Sequence, residues 1–317
     1  MRLLRAELAR FFARRLTKVL ALLLLLLLGV GATVTGLSSQ RPTDAELERA
    51  QAMAAEERQR CEAERQENPD LAADPAYGWD CDDITADAFL PYLLSFEQEA
   101  VSHVLEFAIF LALFGYLVGA SMLGAEWSYG GMANLLLWRP NRVSVLLGKL
   151  FATVLGVLVT GLVIGAAFIG ALWLFARYRG YVGTLDQEFW LSFAGAAARG
   201  LGLAALLTVV GATIASLGRR TAAALGTILG YVVVWEIGAR ATFMELEAPV
   251  VDSPMLSTYF VALLSDHKAV WDAVECATAA CEPAFVARWW HGALVIGGLA
   301  LLTTVLAAVS MRRRDVA

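Results

Sequence analysis

The sequence predicts an all-α membrane protein: six transmembrane helices with an N-terminal interfacial elbow helix and a large helical extracytoplasmic loop. Three observations carry this reading. Apolar residues collect in six blocks, each close to or above the roughly 20 residues needed to cross a hydrocarbon core about 30 Å thick. Basic residues gather at one alternating set of connections and acidic residues at the other. All four cysteines fall in the acidic set. With 58% hydrophobic and only 17% charged residues, against about a quarter charged in soluble domains, the composition argues against a soluble enzyme, a disordered tail or a nucleic-acid binder.

Residues 1–16, MRLLRAELARFFARRL, return Leu4, Leu8, Phe11, Phe12 and Leu16 at near-helical spacing, and arginines fill much of the rest. This suits a helix lying among lipid headgroups. A cleaved signal peptide is disfavoured because the basic section is long and no A-x-A site follows the leucine run. Residues 17–317 then form the six-span domain, with spans expected near 19–37, 103–123, 147–175, 193–217, 222–243 and 290–311. Small residues four apart, Gly115 and Gly119, Gly161 and Gly165, and Gly226 and Gly230, are expected to let helix backbones approach closely.

Lys and Arg near the span ends set the orientation. The N-terminal arginines, Arg139, Arg142 and Lys149, then Arg219 and Arg220, and finally Arg312, Arg313 and Arg314 all belong on one face, the cytoplasmic one. Arg177 and Arg179 are the exception. The loops 38–101 and 245–288 then lie outside, and carry 5 basic against 16 acidic and 2 basic against 7 acidic residues. The mild overall charge of −5 hides this separation. Within the first loop, TDAELERAQAMAAEERQRCEAERQ is rich in Ala, Glu, Arg and Gln and lacks proline, so it reads as an exposed helix with i,i+4 charge pairs.

Cys61, Cys81, Cys276 and Cys281 all lie in these outer loops, and disulfides persist in oxidising compartments. Four cysteines allow three connectivities; we favour Cys61 with Cys81 and Cys276 with Cys281. No histidine accompanies them at metal-ligand spacing, so no metal site is expected.

The connection between spans two and three, residues 124–149, reads GAEWSYGGMANLLLWRPNRVSVLLGK. Met132, Leu135, Leu136 and Trp138 suit a short amphipathic helix, which Pro140 ends by disfavouring the helical region at Arg139. Glycines 130 and 131 provide a turn, and Arg139, Arg142 and Lys149 can meet headgroups or partner carboxylates. Glu126, Gly130 or Gly131, Leu136, Leu137, Pro140, Gly148 and Lys149 together resemble the pattern between the second and third spans of ABC-2 type transporter permease subunits. Where that pattern carries threonine this chain has Gly131 or Met132, and Arg142 sits one place closer to the proline.

The resemblance implies a bacterial plasma (inner) membrane protein with both termini cytoplasmic. It would form the permease half of an ATP-driven transporter, an exporter, beside a second permease half that is either a copy of itself or a paralogue. Glu126, Gly130, Gly131, Leu136, Arg139, Pro140, Arg142 and Lys149 would couple it to an ABC ATP-binding subunit, present in two copies. ATP and Mg would be held by that partner, with no cofactor in this chain. In keeping with this, the sole Gly-Lys pair, Gly148 and Lys149, is followed by Leu150, and no G-x-x-x-x-G-K-[ST] loop is present.

Charges inside a bilayer are costly unless paired or wetted, which singles out Glu106, Arg199, Glu236 and Arg240. Glu236 and Arg240 stand i,i+4 and can pair within one helix; alternatively Arg199 meets Glu236 between helices and shapes an outward-facing cavity or gate. His103, His267 and His291 form no catalytic motif, so the chain is not expected to be an enzyme by itself. Two other readings compete with the exporter: an ATPase-driven mechanotransmitter acting on an extracytoplasmic protein, and an ion-coupled transporter or channel using Arg199 and Glu236.

Overall fold

The computed structural model describes residues 2–68, 81–132, 141–246, 248–272 and 282–313. Helix α1 (Arg2–Ala13) is followed, after a single extended residue at Arg14, by α2 (Arg15–Ser38). The polar helix α3 (Asp44–Glu67) leads through two short 3-10 turns to the long helices α4 (Phe96–Ser128), α5 (Arg142–Arg179) and α6 (Gln187–Leu217). A continuous helical stretch, α7, comprises Thr221–Gly230, a π-helical section Tyr231–Ala239 and Arg240–Glu245. Then come α8 (Leu256–Ser265), the strands β1 (His267–Val270) and β2 (Phe285–Arg288), and α9 (Trp289–Arg313).

Six of these helices, α2, α4, α5, α6, α7 and α9, are long and apolar enough to cross a membrane. All six expected spans are therefore present, most of them extending several residues further. Residues such as Glu97, Glu99 and Ser128 add turns beyond the apolar band, and the first amide of α4, at Phe96, donates to the Tyr181 carbonyl.

The helices alternate in direction, so the chain has two ends: one carrying α1 and the connection from α4 to α5, the other carrying α3 and the hairpin. Helices α4 and α6 form the most extensive pair, and glycine explains the closeness. A Cβ at Gly119 would lie 2.3 Å from the Thr208 carbonyl oxygen, and one at Gly211 equally near that of Tyr116. Gly161 and Gly165 instead seat Leu111 and Phe107 of α4 against α5. The third expected pair behaves differently: Gly226 and Gly230 face open space.

At the α3 end the chain is stitched by backbone. The Phe96 amide donates to the Tyr181 carbonyl, and the Tyr181 amide donates to that of Leu94, both at 2.9 Å. The Ser39 hydroxyl, fully buried, accepts from the Leu94 amide at 3.0 Å and donates to the Arg179 carbonyl. Helix α3 starts with a capping box, the Thr43 hydroxyl against the Glu46 amide and the Glu46 carboxylate against the Thr43 amide. This arrangement satisfies orphan donors of the first turn. Its Ala50 and Ala54 are buried, and the expected Cys61–Cys81 disulfide ties its far half to the following 3-10 turn with Cα atoms 5.8 Å apart. Cys276 and Cys281 lie outside the described residues.

Two features depart from an all-α chain with a solvated second loop. Strands β1 and β2 pair antiparallel, His267 opposite Arg288 and Val270 opposite Phe285. Helix α8 is apolar, and buries Thr258, Ala262, Leu263 and Leu264. Gly292 of α9 lets the backbone of α8 approach, since a Cβ there would meet the Tyr259 carbonyl at 2.3 Å. Ten apolar residues are too few to cross a bilayer, so a reading by span length passes over them.

Candidate functional site

The polar residues of the expected coupling segment do not simply face solvent. Glu126, in the last turn of α4, and Lys149, in the second turn of α5, meet each other with Lys149 Nζ 2.7 Å from Glu126 Oε2. Lys149 also reaches Glu7 Oε1 of α1 at 2.8 Å. Arg10, one turn further along α1, places its guanidinium 3.2 Å from Glu7 and 3.0 Å from Glu126. Two carboxylates and two cations thus form a closed, electrically balanced ring.

Burial decides what this ring does. The side chains of Lys149, Glu7 and Glu126 are 2%, 5% and 12% exposed, while that of Arg10 is 52% exposed. The first three charges are held in a medium where an unpaired ion is costly, so each requires the others. Arg10 closes the ring from solvent and contributes less, being screened.

Local sequence explains how the groups converge. On α1, Leu4, Glu7, Leu8 and Phe11 follow helical spacing and make the inward face, and Arg14 follows just past the helix end. Phe11 is fully buried against Gly156 of α5, where a Cβ would lie 2.8 Å from its ring. This aromatic contact sets α1 down beside Lys149, two turns before Gly156. Arg14 donates to the Ser121 carbonyl of α4 at 2.8 Å. Helix α1 is therefore clipped to both α4 and α5, and the segment between them is closed at its base by a direct ion pair.

Within that segment the turn expected at the glycines is present. Gly130 has φ +72°, a conformation that favours glycine, and Met132 is fully buried. Asn141 caps α5 by accepting from the Ser144 amide at 3.2 Å, and Arg142 donates to the Met311 carbonyl at 3.0 Å, joining the start of α5 to the end of α9. Trp127 donates to Ser216 Oγ at 3.2 Å, and the Arg219 guanidinium lies 5.0 Å above its ring. Leu136, Arg139 and Pro140, with Leu135 and Trp138, lie outside the described residues.

The four charges expected inside the spans are not gathered into one cluster. Arg199 pairs with Asp266, beside the hairpin, at 3.3 Å. Glu236 instead accepts from Tyr231 Oη at 2.7 Å, the Ser257 amide at 2.9 Å and Ser257 Oγ at 2.8 Å. The expected Arg199–Glu236 contact is thus corrected: each residue has nearer partners on other elements. The i,i+4 pair of Glu236 with Arg240 exists at 3.9 Å but is looser than Arg240 with Asp252 at 3.0 Å. Glu106 pairs with His103 at 3.0 Å and stays largely exposed.

Sequence reasoning missed Glu7 and Arg10 as members of the ring. The signal was present: Glu7 is the only acidic residue before Asp44, and it stands on the apolar stripe of a helix whose other charges are basic. Among the described residues no group of His, Cys, Asp and Glu could hold a metal ion. Comparison with family models, curated proteins and solved structures returns no match for this chain.

Proposed function

We propose that the chain is the membrane-spanning permease subunit of an ATP-driven, ABC-2-like exporter. In this reading α1 is the interfacial elbow, the α1 end faces the cytoplasm, and the segment from Glu126 to Lys149 receives the motion of a separate ATP-binding subunit. The observation that carries it is the Glu7–Lys149–Glu126–Arg10 ring. A docking segment transmits force only if its base is rigid, and here α1, α4 and α5 are locked at that point by buried charges. Push on the segment then moves three helices together. ATP and Mg belong to the partner, and a second permease half completes the assembly.

The test is Glu126→Arg, which places a third cation in the ring. Association with the ATP-binding subunit, or the dependence of transport on hydrolysis, should fall. Unchanged copurification together with unchanged ATP-dependent transport would refute the role.

One observation favours a second reading. Helix α3 is stapled by Cys61–Cys81 and held by Arg58 donating to the Ile84 carbonyl at 2.6 Å. A braced acidic helix suits a lever that relays ATPase motion to a basic extracytoplasmic partner. Vesicle accumulation of a compound only with ATP separates export from this mechanotransmitter. The third reading is an ion-coupled transporter or channel using Arg199 and Glu236, whose side chains pair with Asp266 and with Tyr231 and Ser257.

A further inference from the structure

Arg177 and Arg179 resist the charge rule that places the other basic clusters, and they stand at the α3 end of α5, where α5 closes against α6. Arg41 joins them there: its guanidinium donates to the Gly180 carbonyl at 3.1 Å and to the Arg177 carbonyl at 3.4 Å. Arg41 thereby satisfies the last turn of α5 and offsets the negative end of that helix. Two acids at this connection are already committed. Glu97 accepts from the amide and hydroxyl of Thr184 at 2.8 and 2.9 Å, and Asp186 caps α6 through the Phe189 amide at 2.9 Å. Among the described residues Arg177 makes no ion pair, and it is exposed beside the half-exposed Trp173.

On α5, about 12 Å along the helix from Arg177, begins an apolar cleft of about 310 Å³ between α4, α5 and α6, without a charged side chain in its walls. Small residues, Ala166 and Ala197 among them, keep it open, and Trp190 and Phe96 stand at its rim. On α5 the two features form one stripe: Leu162, Ala166, Ile169, Trp173 and Arg177 recur at spacings of four, three, four and four, the same helix face. From Phe96 to Ala108 along α4 the cleft runs about 18 Å. That is close to half of a hydrocarbon core about 30 Å thick, one leaflet deep. An apolar trough one leaflet long, with Trp173 and Arg177 following it on the same face of α5, has the polarity profile of a lipid molecule.

We propose that this stripe binds one anionic glycerophospholipid of the leaflet at the α3 end, its phosphate on Arg177 and one acyl chain in the α4–α5–α6 cleft. The assignment needs only that the chain spans a membrane, so it stands whether or not the permease reading does. The site would hold lipid as a fixed part of the bundle at a basic spot of a largely acidic end.

Native mass spectrometry of the full chain in detergent, with phosphatidylglycerol or with inorganic phosphate, tests it. Wild type should carry phosphatidylglycerol through transfer. Arg177→Gln, which removes the charge, and Ala166→Phe, which fills the trough from an exposed position, should each lower the bound fraction roughly fivefold without changing the melting temperature. Arg15→Gln, at the opposite end, should leave it unchanged. Full lipid retention by either site variant, absence of lipid from the wild type, equal loss in Arg15→Gln, or displacement of the lipid by inorganic phosphate would each overturn the proposal.

Discussion

Replacing Lys149 by methionine removes the cation that two buried carboxylates share while keeping most of the side-chain volume. Glu7 and Glu126 both contact its ammonium within 3.0 Å, and both are nearly buried. Breaking a buried pair from one side typically costs about 3–5 kcal/mol because the remaining charge is left uncompensated. Here two charges are left facing one remaining cation, Arg10, whose half-exposed guanidinium is screened and recovers only a fraction. At the soluble-domain scale of about 2–4 °C per kcal/mol, the melting temperature in detergent should fall on the order of 10 °C. The double variant Glu7→Gln with Lys149→Met restores electrical balance and should regain much of that loss, so the two changes are not additive. Differential scanning of wild type, both singles and the double gives the cycle directly. A Lys149→Met protein as stable as wild type, or a double variant whose loss equals the sum of the singles, would refute the coupled ring.

Other elements give equally direct tests. Cys81→Ser opens a disulfide spanning 20 residues, which chain-entropy arguments value at about 3 kcal/mol; mobility on a non-reducing gel should change and α3 should become protease-sensitive, and unchanged mobility would remove the staple. Gly119→Leu drives a side chain into the Thr208 carbonyl and should break the α4–α6 pair, whereas Gly226→Leu, which faces open space, should leave the fold intact; equal expression and stability of the two would contradict the packing. Hydrogen bonds from the Thr43 backbone and side chain hold the Glu46 carboxyl below its ordinary value. The cap is therefore fully present above the unfolded carboxyl pKa of about 4.3 and is lost as pH falls through the lowered folded value, so exchange at the Glu46 amide should accelerate only below that range. Glu46→Gln keeps an acceptor and should abolish this pH dependence; an unchanged profile would show that another group controls the cap.

The six spans were legible because crossing a membrane demands long apolar blocks, a constraint no other local preference can imitate. The Cys61–Cys81 bond was legible through charge, since both cysteines lie in one acidic loop. What was not legible depended on distant partners. Arg199 turns to Asp266 because α8 and the hairpin carry that acid to it, and neither element announces itself in ten or four residues. Glu236 and Tyr231 are five apart, and the π-helical winding of Tyr231–Ala239 brings them into one hydrogen bond. An ideal α-helical wheel suggests the i,i+4 partner instead. Glu126 and Lys149 were singled out, but as residues facing a partner; their mutual contact and their union with Glu7 arise from α1 folding back across 142 positions of sequence.

The proposed role of the ring is to transmit work from a separate ATPase through the segment it closes. The most direct measurement is ATP hydrolysis and transport in lipid nanodiscs or vesicles by the affinity-purified complex, comparing wild type with Glu126→Arg. Wild type should copurify with an ATP-binding subunit and hydrolyse ATP, and the variant should lose either the subunit or the coupling of hydrolysis to transport. A wild-type chain that purifies from native membranes without any ATP-binding subunit, yet still transports under an ion gradient alone, would contradict it.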